Sequence, residues 1–156
     1  MLDPSVLKDA FLVAGLTPDQ IAQVAAIGKV TTYGSGQALV EIGGTSEELF
    51  VILSGDVRIT THDGDLLGDV GPNSVVGEVG LVDGGPRTAN ATCNGPVSAA
   101  VFPIPELRRL MVQNRDWGFT VLANVSRLLA GRLRKLNSRV DELSDAAEEP
   151  WGNALG

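Results

Sequence analysis

The spacing of apolar residues changes character twice along this chain. After Pro4 and Ser5, the residues Val6, Leu7, Ala10, Phe11 and Val13 recur at near-helical intervals until Gly15 interrupts them. Thr17-Pro18-Asp19-Gln20 then restarts a helix, with Thr17 as N-cap, Pro18 at the first position and Gln20 placed to close a capping box. Ile21, Val24, Ala25 and Ile27 form its inward face, and Gly28 ends it. The pattern predicts a helical cap over residues 4–28.

From residue 29 the period shortens to alternation and brief apolar runs, which predict strands at 29–33, 38–42, 49–53, 57–61 and 66–70. Gly34-Ser35-Gly36, Gly43-Gly44, Ser54-Gly55 and Asp63-Gly64 punctuate them. His62-Asp63-Gly64-Asp65 reads as a hairpin turn, since Asp-Gly supplies the positive φ such turns demand. Two further strands are expected near 90–93 and 97–102. The fold class is therefore mainly β with flanking helices: a closed or nearly closed antiparallel β-barrel over 29–102, between an N-terminal helical cap and a long C-terminal helix.

After Pro103 the helical period returns over 104–143. Ile104-Pro105-Glu106 opens a helix carrying Leu107, Leu110 and Met111, and Asn114-Arg115-Asp116 breaks it before a longer one from about residue 117. Leu122, Leu129, Leu136 and Leu143 recur every seven residues, flanked by Val125, Leu133 and Val140. Placed at heptad position a, these leucines predict a homodimer through the long helix, with Arg132 and Arg139 as discordant d residues. The alternative is a helix that packs only on its own barrel. Residues 144–156, with Glu148-Glu149-Pro150-Trp151-Gly152, are expected to be a disordered acidic tail.

Composition narrows the function. With 156 residues and 16.3 kDa the chain fits one domain, residues 1–143, and 4% aromatics means a core of Val, Leu, Ile and Ala. A formal net charge of −7 argues against nucleic acid as partner, while leaving room for one small anion at a placed Arg. Cys93 is alone, so no intrachain disulfide forms, and no Cys/His cluster suggests a metal. His62 reads as a surface residue beside a turn. The N-terminus lacks a signal-peptide pattern, and no stretch reaches the roughly 18 apolar residues of a membrane span. The expected location is cytoplasmic, with no membrane partner. Asn90-Ala91-Thr92 matches a glycosylation sequon by chance.

The candidate chemistry lies in residues 77–89, Gly-Glu-Val-Gly-Leu-Val-Asp-Gly-Gly-Pro-Arg-Thr-Ala. Gly77-Glu78-Val79-Gly80 predicts entry into about one helical turn, whose unpaired N–H groups favour an anion. Asp83-Gly84-Gly85-Pro86 turns the chain back and delivers Arg87, whose planar donors suit phosphate. Thr88 and Ala89 add a hydroxyl and further N–H groups. One carboxylate beside a phosphate cradle suits a nucleotide whose sugar offers a hydroxyl to Glu78. The same residues could instead form only an internal Arg–Glu salt bridge in a glycine-rich loop.

Gly-Glu-Val-Gly-Leu followed by Pro-Arg-Thr-Ala resembles the phosphate-binding cassette of cyclic-nucleotide-binding domains. Phe50-Val-Ile-Leu-Ser-Gly-Asp-Val resembles the glycine-marked strand pair that precedes it. The resemblance is to the sensor domain of bacterial catabolite-activator-type regulators and implies a jelly-roll, or double-stranded β-helix, barrel. It also implies roles: Glu78 takes the ribose 2′-OH, Arg87 pairs with the cyclic phosphate, and the amides around Gly77, Val79 and Ala89 complete the cradle. No cofactor is implied; the ligand is cAMP or cGMP. Thr88 stands where cGMP-selective members, but also bacterial cAMP sensors, carry a hydroxyl. Asn137-Ser138 falls where the cAMP sensors contact adenine; Ser138 matches in type and Asn137 is a departure, though Asn can bond an adenine edge. On balance cAMP is expected. Ser74 and Val75-Val76 replace the acidic residue and Phe common before the Gly-Glu pair, a departure expected to loosen packing there.

The chain ends shortly after the long helix, without room for the helix-turn-helix domain of the bacterial regulators. The reading is therefore a free-standing sensor that binds a cyclic nucleotide and signals through its C-terminal helix to an unidentified protein effector. An alternative is a ligand-independent interaction module that keeps the fold; an intact Glu78 and Arg87 argue against it. A phosphodiesterase would need a metal cluster or general base, and none is legible, so no enzyme activity is expected.

Overall fold

The computed structural model of the protein describes residues 2–147, with side chains described through residue 142. It divides into two compact units, Met1–Val125 and Ser126–Gly156.

The first unit opens with two short 3₁₀ turns, Pro4–Leu7 and Phe11–Val13, where the spacing had predicted a helix. Asp3 caps the first turn by accepting from the Ser5 N–H, and Leu7, Leu12 and Val13 are buried. Helix α1 (Pro18–Ala25) has the predicted capping box: Thr17 Oγ1 accepts from the Gln20 N–H, and Gln20 Oε1 accepts from the Thr17 N–H.

One antiparallel sheet follows, made of β1 (Lys29–Tyr33), β2 (Ala38–Val40), β3 (Glu48–Thr60), β4 (Leu66–Val70), β5 (Val75–Val76) and β6 (Asn90–Pro103). Its path is β1-β6-β3-β4, with β2 paired to β6 and β5 to β3. The sheet is not closed into a barrel. The predicted pairs 49–53/57–61 and 90–93/97–102 are each one long strand. Gly55, at φ 90°, makes an irregularity within β3 instead of a turn, and the β3–β6 register shifts between Ile52 and Asp56. A Cβ at Gly55 would strike the Pro96 carbonyl oxygen, so glycine is required for β3 and β6 to approach there.

Central strands β3 and β6 carry apolar residues on both faces, as strands covered on both sides must. Phe50, Ile52, Val57, Val97, Ala99 and Val101 join one buried cluster with Leu39, Val40, Val70, Val76, Ala91 and Cys93. By alternation Leu49, Val51, Ala100 and Phe102 belong to the opposite face, and all are buried. A Cβ at Gly28 would lie 2.5 Å from the Phe102 ring, so the end of the cap is pressed onto that face.

Three helices complete the chain: α2 (Glu78–Asp83), α3 (Ile104–Gln113) and α4 (Arg115–Ala147). Leu107, Trp117, Val121 and Val125 are buried, and the Asn124 amide donates to the carbonyls of Leu12 and Ala14. Helix α4 reaches four residues into the segment expected to be a disordered tail; residues 148–156 lie outside the described ones. In the second unit, Leu133 and Val140 of α4 are exposed and Leu129 and Leu136 half-buried, while Leu143 lies beyond the described side chains. No described helix is long and apolar enough to cross a membrane.

Candidate functional site

Strand pairing brings the site together. β5 pairs with the start of β3 through Phe50↔Val76 and Val51↔Val75, so the chain enters Gly77 beside Glu48. Val75 and Val76, which stand where the family pattern has other residues, are buried in this pairing, and Ser74 is half-buried. Gly77 has φ 91°, a conformation that costs a residue with a Cβ, and a Cβ there would also lie 2.9 Å from the Glu48 carbonyl oxygen. Helix α2 starts at Glu78 and is capped at its C-terminus by Gly84, φ 69°.

Glu78 and Arg87 are both buried, at 7% exposure each, although charged residues are seldom buried without partners. Arg87 Nη1 donates to Gly77 O at 2.9 Å, and Nη2 donates to Ser46 O and Glu48 O, both at 2.7 Å. These are charge-assisted bonds to neutral carbonyls of two segments, the entry to β3 and the turn after β5. Burial pulls the Arg87 guanidinium below its ordinary value, and the carboxylates of Glu78 and Glu48 oppose that pull. Three of its five donors are engaged, which leaves Nε–H and one Nη1–H for an anion. The sequence suggests phosphate or an internal Glu78 partner for Arg87; in the structure the guanidinium pins the loop through backbone carbonyls.

A second loop completes the frame. Gly43 N–H donates to Arg87 O at 3.0 Å and Arg87 N–H to Gly44 O at 3.4 Å, while Ile42 N–H donates to the Asn90 side chain at 2.8 Å. Gly80 lets the guanidinium lie against α2, since a Cβ at that position would fall 2.7 Å from Arg87 Nη1. Gly43-Gly44 was legible as a turn, but nothing in the sequence marked its pairing with Arg87. Ser46 and Glu48 act through backbone carbonyls, which no side-chain motif can signal.

Of the residues predicted for the site, Gly77, Glu78 and Arg87 are brought together around the guanidinium. Val79 and Ala89 are half-buried and Thr88 is exposed on the adjoining turns. Asn137 and Ser138 are exposed on α4 in the second unit.

A family model described as "Cyclic nucleotide-binding domain" matches residues 30–114. Glutaminase 1 of Bradyrhizobium diazoefficiens is 30% identical over 140 residues, 88% of this chain but 22% of that protein. The Cyclic AMP receptor protein of Thermus thermophilus is 30% identical over 146 residues, 88% of this chain and 64% of that one. This chain thus spans less than two thirds of these relatives' length. Among solved structures, the N-terminal domain of a transcriptional regulator from Streptomyces coelicolor A3(2) superposes with a TM-score of 0.64 at 31% identity, covering 86% of this chain and 94% of that one.

Proposed function

Because this chain belongs to the cyclic nucleotide-binding domain family, we propose that it binds a cyclic purine nucleotide at the Glu78–Arg87 site, cAMP in preference to cGMP, and acts as a regulatory module. The observation that carries this reading is the burial of one carboxylate and one guanidinium in a glycine-built loop. Taking two charged groups out of water is costly, and a ligand that needs both charges accounts for their burial here. The cyclic phosphate lies against the remaining Arg87 donors and the N–H groups of residues 79, 88 and 89, and Glu78 accepts from the ribose 2′-OH. The glutaminase match covers about a fifth of that enzyme and lends no catalytic role to these residues.

Signal leaves through α4, where the leucine series supports pairing with a second copy. Within the second unit, Ser126, Leu129, Leu133, Leu136 and Val140 follow a three-and-four spacing. The series reads better with Leu129 and Leu136 at d and with Leu133 and Val140 at a, which moves Arg132 and Arg139 to the flanking g positions. In an antiparallel pair these arginines would face one another, so like-charge repulsion favours the parallel one. The base is assigned to Asn137 and Ser138, both exposed on this helix. Nucleotide binding can shift the equilibrium toward an effector-binding state of α4 only through a difference in affinity for the two states.

Changing Asn137 and Ser138 together to Ala, with calorimetry against cAMP and cGMP, tests the assignment. The expected result is weakened cAMP binding with cGMP nearly untouched. Equal losses for both, or none for either, contradict the base reader and this route of signalling.

A further inference from the structure

Helix α2 is six residues long, well under the ~12–15 residues at which an isolated helix becomes even marginal in water. Its carbonyl end is held from outside. Gly84 N–H donates to Gly80 O at 3.0 Å, but Gly85 N–H turns to Asp83 Oδ1 at 2.8 Å, so it does not continue the helical ladder to Leu81 O. Arg108 of α3 supplies what is missing: Nε donates to Leu81 O at 3.0 Å and Nη2 to Gly80 O at 2.6 Å. A cation at this end also complements the helix dipole. Gly84 makes room, since a Cβ there would lie 3.3 Å from Arg108 Nη2. Helix α3 is itself tied to the site's other wall, because Ile104 N–H donates to Glu47 O at 2.8 Å, next to the Glu48 carbonyl that holds Arg87.

From this geometry we propose that Arg108 is a positioning residue for the nucleotide site, capping α2 from α3 so that Glu78 is held at the depth of Arg87. The inference rests on the proposed function for its ligand, though not for the cap itself. Because both donors of the cap come from α3, the order of α2 and the placement of α3 are linked, and a ligand that orders one orders the other. Val79 to Asp83 contain no side-chain donor that could replace the cap: Asp83, their one polar side chain, is an acceptor and takes the Gly85 N–H.

The test compares Arg108→Met and Arg108→Lys with the wild type by amide hydrogen exchange of the ligand-free protein and by titration with cAMP. Loss of two charge-assisted bonds should speed exchange at Val82, Asp83 and Gly84 about tenfold or more in Arg108→Met, and weaken cAMP binding by roughly the same factor. Arg108→Lys, which keeps the charge and one bond, should recover part of both effects, a rescue that a loss of bulk packing would not give. Wild-type exchange across α2 in Arg108→Met overturns the cap. Faster exchange with unchanged cAMP affinity overturns the positioning role. If the wild type binds no cyclic nucleotide, the proposed function fails, while the exchange comparison still decides whether Arg108 holds α2. Should Arg108→Met not fold, Arg108→Lys carries the same comparison, with intermediate exchange supporting the cap and wild-type exchange overturning it.

Discussion

Arg87→Ala should damage two things at once, and they separate experimentally. In the folded chain the guanidinium pins the carbonyls of Gly77, Ser46 and Glu48. Hydrogen bonds to a charged group contribute about 1.5–3 kcal/mol each, so the gross loss is several kcal/mol. Against this, the mutation relieves the cost of burying a cation, and water can enter to satisfy the freed carbonyls. The net destabilisation should be about 2–4 kcal/mol, at or below the range for breaking a buried charged pair. In a chain of this size that lowers Tm by roughly 4–16 °C. Binding should fall further: losing one side of a charged hydrogen-bonded pair costs about 2–5 kcal/mol, or at least thirtyfold in Kd for cAMP. Urea or thermal unfolding without ligand reads the first effect, and calorimetry under conditions where the variant is folded reads the second. Arg87→Lys should keep the charge yet recover neither fully, because one ammonium cannot span three carbonyls and still meet a phosphate. An Arg87→Ala protein as stable as the wild type would refute the pinning role, and one that binds cAMP normally would refute the phosphate role.

Gly80→Ala places a methyl 2.7 Å from Arg87 Nη1, so the guanidinium must shift; cAMP affinity should fall by an amount equivalent to about 1–3 kcal/mol, the usual cost of overpacking, and unchanged calorimetric affinity would show that Arg87 has room to spare. Glu78→Gln should weaken cAMP binding less than Arg87→Ala, because the amide still offers an acceptor to the 2′-OH; the discrimination between cAMP and its 2′-deoxy analogue, read by calorimetry, should shrink in the variant. Changing Leu129 and Leu136 to Asp should give a folded monomer by sedimentation, since each charge would be buried without a partner; a wild type already monomeric at tens of micromolar, roughly where weak association appears, would remove the proposed dimer.

What was legible in the sequence followed from local chemistry. The Thr17–Gln20 capping box, β1 and the Asp63-Gly64 turn, closed by Thr61 N–H to Asp65 O at 2.9 Å, all lie within a few residues of their own signals. The same locality misled where tertiary packing decides. Ser54-Gly55 punctuates two apolar runs, but the pairing with β6 makes Gly55 an irregularity within one strand. The apolar spacing after Pro4 is helical, yet the segment settles into 3₁₀ turns, with Phe11 N–H donating to Asn73 O of a distant loop. In the candidate site, Glu78 and Arg87 stood out as a charged pair among glycines. Their frame did not, because it consists of carbonyls 39 and 41 residues from Arg87 and of a cap from Arg108, 27 residues beyond Leu81.

The central claim is that this site recognises a cyclic nucleotide through its cyclic phosphate and ribose. Calorimetric titration of the wild-type protein with cAMP and cGMP, beside the linear 5′-monophosphates of adenosine and guanosine, tests it most directly. The account predicts saturable binding of the cyclic forms at one site per chain, tighter for cAMP, and little or no heat from the linear ones, whose extra charge and open geometry the buried Arg87 cradle does not fit. Failure of both cyclic nucleotides to bind, or linear monophosphates binding as well as cyclic ones, would contradict it.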